Sequence, residues 1–101
     1  MLDPLSYIWT NELEYNVTFD QWIDAVNASV RARLGNNVRT EELSWDSAIW
    51  RSRTGTVVAS LADDEKTAKI SFDGGEKLAV AFQKPEAAPE VVGARIVERL
   101  S

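Results

Sequence analysis

LSWDSAIWRSRTGTVVASLADDEKTAKISFDGGEKLAVAFQ, residues 43–83, is the stretch on which the fold turns. Its apolar residues alternate with polar ones instead of recurring every three or four positions, which is the period of a strand with one buried face. Four runs stand out: 43–51 with Leu43, Trp45 and Ile49; 56–62 with Val57, Ala59 and Leu61; 67–72 with Ala68, Ile70 and Phe72; and 77–83 with Leu78, Val80 and Phe82. The separators Ser52-Arg53-Thr54-Gly55, Asp63-Asp64-Glu65-Lys66 and Asp73-Gly74-Gly75-Glu76 are turn formers. Links this short force neighbouring strands antiparallel, so the stretch predicts a four-stranded meander.

Helices flank it. Upstream, Thr18 with Gln21 three residues on makes a capping box, and Phe19, Trp22, Ile23, Val26, Val30 and Leu34 follow at helical spacing. Arg31 and Arg33 suit the negative end of a helix and Gly35 stops it, which predicts a helix over 19–34. Downstream, Pro89 suits a helix start, and Val92, Ile96, Val97 and Leu100 predict a closing helix over 90–100. Before all of these, Asp3-Pro4 with Leu5, Ile8, Trp9 and Leu13 predicts a short helix over 4–13. The expected class is α+β in two layers, with element order (α)αββββα. One domain spans 1–101, and residues 1–16 form an acidic, aromatic leading segment.

Alternation assigns Trp45, Ile49, Val57, Leu61, Ile70, Phe72, Leu78, Val80 and Phe82 to the core face of the sheet. The opposite face then collects small, weakly polar residues around one large side chain, Trp50. On that reading Trp50 is either an anchor for a partner or a side chain covered by Leu5, Ile8 and Trp9.

The residue types that are missing remove whole classes of chemistry. The chain has no Cys and no His. Disulfides, thiolate nucleophiles, Cys/His zinc sites, iron–sulfur clusters and His-dependent triads are therefore excluded. The carboxylate groups Asp63-Asp64-Glu65 and Asp73 with Glu76 fall in turns and lack the spacing of a calcium loop. Gly74-Gly75 is not followed by the Lys and Ser/Thr of a phosphate loop. No catalytic residue, metal or cofactor is expected.

Charge supplies the functional expectation. Sixteen acids against eleven bases give a net charge of -5. The first thirty residues hold Asp3, Glu12, Glu14, Asp20 and Asp24 with no Lys or Arg, beside Tyr7, Trp9, Tyr15, Phe19 and Trp22. A one-sided negative field favours basic partners and repels phosphate. Trp50-Arg51-Ser52-Arg53 does mix an aromatic with guanidiniums, but Glu86-Ala87-Ala88-Pro89-Glu90 opens the last helix with acids, and no nucleic acid is expected. No apolar run approaches the roughly 20 residues of a membrane span, so no membrane partner is expected. The first residues lack the basic and apolar regions of a signal peptide, which together with the absence of Cys points to the cytoplasm.

The sequence therefore predicts a non-catalytic protein–protein interaction protein. It would be a small acidic adaptor, inhibitor or immunity-type protein that binds a basic surface of another protein. Its candidate contact residues are Trp9, Glu12, Glu14, Tyr15, Asp20, Asp24 and Trp50. The alternatives are a self-associating homodimer or larger scaffold, and a small-ligand-binding α+β domain.

Overall fold

The computed structural model describes residues 17–73 and 75–101. The helix predicted over 4–13, and with it Trp9, Glu12, Glu14 and Tyr15, lies outside the described residues. From Val17 onward the local signals act as their chemistry dictates. The Gln21 amide donates to Thr18 Oγ1 at 3.4 Å and the Thr18 amide donates to Gln21 Oε1 at 3.0 Å, closing the capping box. Helix α1, Phe19–Leu34, starts there and stops at Gly35, whose φ of 55° suits a residue without a Cβ. The closing helix, α2, runs Pro89–Leu100, with Pro89 in its first turn.

Between the helices lie five strands: β1 Arg39–Leu43, β2 Ser47–Arg51, β3 Thr56–Leu61, β4 Thr67–Phe72 and β5 Lys77–Ala81. Each pairs antiparallel with its chain neighbour, in the order β1-β2-β3-β4-β5. The α+β class and the antiparallel meander agree with the sequence reading; the strand count does not. The run 43–51 is not one strand. It contains the end of β1, a turn at Ser44–Asp46 and all of β2. The first strand went unseen because Arg39-Thr40-Glu41-Glu42-Leu43 has no apolar alternation. It is an edge strand held by backbone pairing to β2, interrupted by a bulge between Thr40 and Glu42.

The second correction concerns which way β2 faces. Residues directly opposite in an antiparallel pair share a face, so register defines the buried rows. Trp50 lies opposite Val57, and Val57 opposite Phe72. Ala48 lies opposite Ala59, Ala59 opposite Ile70, and Ile70 opposite Leu78. These rows face the helices, and Trp50 and Ala48 are fully buried there. Trp45 and Ile49, expected in the core, are not in it. Ile49 lies on the outer face opposite Val58, and Trp45 is 68% exposed in the turn. For β3 to β5 the expected inward set of Val57, Leu61, Ile70, Phe72, Leu78, Val80 and Phe82 is buried or packed on the core.

Both helices cover this inner face. Phe19, Trp22 and Phe82 form an aromatic cluster, with Phe19 and Phe82 edge-on at 5.7 Å between centroids. The Trp22 indole N–H donates to the Ala87 carbonyl at 2.7 Å, tying α1 to the segment that leads into α2. The helices meet at Gly93, where a Cβ would lie 2.9 Å from Ser29 Cβ and 2.6 Å from Ser29 Oγ. Gly93→Ala would gain about 1 kcal/mol of helix propensity. Overpacking costs about 1–3 kcal/mol and outweighs that gain, because a Cβ cannot rotate away. Chemical denaturation is expected to show a net loss of up to about 2 kcal/mol for Gly93→Ala, most of it recovered when Ser29→Gly is added.

Candidate functional site

The β1–β2 hairpin gathers the surface features that carry information. Its tip is a turn built by short polar side chains. The Ser44 amide donates to the Ser47 carbonyl at 2.8 Å, and Ser44 Oγ donates to Asp46 Oδ1 at 3.0 Å. The Ser47 hydroxyl donates to the Glu42 carboxylate, and the Leu61 amide ties the turn to β3 through the Asp46 carbonyl at 2.8 Å. On this braced loop stand Leu43, 42% exposed, and Trp45. They are two of the three exposed large hydrophobics among the described residues; the third, Val91, sits on α2. Glu41, Glu42 and Asp46 flank them, all exposed, and Glu41 also pairs with Arg51 at 3.2 Å. The tip is an exposed apolar pair flanked by acidic residues.

The residues expected from sequence are placed differently. Asp20 and Asp24 are exposed one helical turn apart on α1, so they share a face. Among the described residues neither is in an ion pair. Trp50 is not on any surface. Its indole N–H donates to Asn27 Oδ1 at 2.9 Å, and the same oxygen accepts from the Thr40 hydroxyl at 2.8 Å. Thr40 lies opposite Trp50 across β1 and β2, so this contact pins the hairpin to α1. The candidate that the sequence reading missed is Trp45. Its available signal was the run Ser44-Trp45-Asp46-Ser47, which is as turn-like as the separators further along.

The two acidic clusters work as structural ties. Asp64 accepts the Lys66 amide at 2.9 Å, the Thr67 amide at 3.0 Å and the Thr67 hydroxyl at 2.8 Å. These donors, led by the Lys66 amide, hold its carboxyl below the usual 3.8. Asp73 accepts the Thr56 amide at 3.0 Å, and Glu76 pairs with Arg99 and, at 3.9 Å, with Arg95 of α2. Among the described residues no three carboxylates gather as a metal site would require, and no helix is long and apolar enough to cross a membrane.

No protein-family model, curated protein or solved structure matches the chain.

Two outcomes follow from this geometry. Trp50→Ala is expected to cost about 3–5 kcal/mol in chemical denaturation, as truncation of a buried aromatic does. A melting midpoint equal to that of the parent would contradict the pinned hairpin. For Asp64, a depressed carboxyl stabilises fully above the unfolded value of 3.8, and that contribution is lost as pH falls through the folded value. Asp64→Asn should therefore melt below the parent at neutral pH, and the gap should narrow below pH 3.8 and close only beneath the lower folded value.

Proposed function

We propose that this protein acts by contact and not by turnover: it is a non-catalytic protein–protein interaction protein whose β1–β2 tip inserts Trp45 into an apolar recess rimmed by basic residues on its partner. The observation that supports this reading is the exposed indole of Trp45 on a turn already fixed by four hydrogen bonds. A rigid aromatic loses little conformational entropy on docking, and Trp is the residue type that most often carries interface energy. The flanking Glu41, Glu42 and Asp46 supply complementarity to a cationic rim. Asp20 and Asp24 add to the field that steers such a partner, and the leading segment brings Glu12 and Glu14. A small acidic adaptor or inhibitor has this chemistry.

Self-association is the second reading. It is favoured by the outer sheet face, where Ile49 and Val58 lie directly opposite each other and no described element covers them. Sedimentation across a concentration series separates the two, since self-association needs no second protein.

Trp45→Ala is expected to leave stability within about 0.5 kcal/mol of the parent, as exposed positions do. A protein captured by the parent chain from host extract should bind this variant at least about thirtyfold more weakly, the size of a hot-spot loss. Binding should also weaken as salt is raised. Capture that is equally strong with Trp45→Ala and indifferent to salt would discard the reading.

A further inference from the structure

The opposite end of the same hairpin has the reverse character. Where α1 ends, β1 begins and β2 ends, a groove of about 540 Å³ opens. Arg31, Arg39, Arg51 and Arg53 line it, with Asn36 and Asn37. Among the described residues no carboxylate lines it. We infer that this groove is a binding site for a compact oligophosphate, a ligand carrying a diphosphate group, recognised through its phosphate oxygens.

Four observations carry the inference. First, the cations are all arginines. The chain has seven Arg and four Lys, and four of the seven Arg meet here while every Lys lies elsewhere. The guanidinium fork donates paired hydrogen bonds to phosphate oxygens, which a lysine point charge does not. Second, the cluster is built against electrostatic cost. Arg39 and Arg51 are direct cross-strand partners, and like charges in that relation destabilise a sheet. Glu41 relieves Arg51 from outside the groove, whereas the side chains of Arg39 and Arg53 have no ion pair or hydrogen bond among the described residues. An anion between them removes the repulsion.

Third, one guanidinium is held in place before any ligand arrives. Arg31 Nη1 donates to Thr40 Oγ1 at 3.3 Å, and Thr40 is fixed through Asn27 to the buried Trp50. Pre-positioned donors lower the entropy cost of binding. Fourth, size and lining select the ligand. The volume lies within the range of about 300–1,000 Å³ typical of small-molecule sites. Among the described residues no aromatic lines the groove, so recognition falls on the charged groups and not on a stacked base.

Two features oppose an anion, and both are weaker. The C-terminal end of α1 contributes the equivalent of about half a negative charge, against the charges of Arg31, Arg39 and Arg53 and that of Arg51, which Glu41 partly offsets. The net charge of -5 acts over the whole chain and is screened beyond about 8–10 Å, whereas the four arginines line the groove itself.

The test is titration calorimetry of the full chain with inorganic pyrophosphate, ADP, inorganic phosphate and a single-stranded oligonucleotide. Pyrophosphate and ADP are expected to bind with similar affinity and more tightly than phosphate. Arg39→Ala and Arg53→Ala, which lose no protein partner, should each weaken pyrophosphate at least about tenfold without lowering the melting midpoint. Lys69→Ala, an exposed cation outside the groove, should leave binding unchanged. Absence of pyrophosphate binding at millimolar concentration would overturn the inference, as would affinity unaltered by both arginine variants. Oligonucleotide binding tighter than pyrophosphate would overturn it too, in favour of a nucleic-acid backbone. Trp45→Ala should bind pyrophosphate like the parent, so the two surfaces fail or stand separately.

Discussion

The indole of Trp50 and its single acceptor, Asn27, set the geometry on which the rest of the molecule depends. A tryptophan removes about 150–250 Å² from water when buried, but its N–H must then find a partner. α1 supplies that partner through Asn27 Oδ1. Once position 50 faces the helices, alternation leaves no further choice along β2: Ala48 turns inward against Ala59, and Ile49 and Arg51 turn outward. The chain must then reverse within Ser44–Asp46, and Trp45 has no place inside. One part-buried hydrogen bond thus accounts for an exposed aromatic at one end of the hairpin and opposed arginines at the other.

Legibility in the sequence followed how many local signals agreed. For α1 the capping box, the apolar stripe, the terminal arginines and Gly35 all pointed to the same boundaries, and the helix occupies them. β3 to β5 were readable because each alternates cleanly and turn residues separate them. β1 was not readable, since Arg39-Thr40-Glu41-Glu42-Leu43 buries almost nothing and is a strand only because β2 offers it hydrogen bonds. The first run misled because Trp45 and Trp50 have opposite parity and equal size, so a periodic pattern can bury either one. What separates them is the acceptor on Asn27, a contact between residues 23 positions apart that no local pattern contains.

The candidate sites were legible to a lesser degree. Aromatic content drew attention to Trp50, which is buried, while the exposed tryptophan is Trp45. The arginine groove was invisible for a different reason. Arg31, Arg39, Arg51 and Arg53 look unrelated along the chain and become neighbours only when β1 pairs with β2. A net negative charge concealed a local positive one, because a sum over residues carries no information about where they gather.

The packing of α1 on α2 joins the first described helix to the last, across a sheet whose strands pair only with their chain neighbours. Leu100 is part of the core at 2% exposure. During synthesis the strands can zip one hairpin at a time as they emerge. The apolar stripe of α1, by contrast, stays half-covered until α2 has cleared the ribosome. The interval between release of β5 and release of α2 is therefore when the apolar stripe of α1 is most open to water.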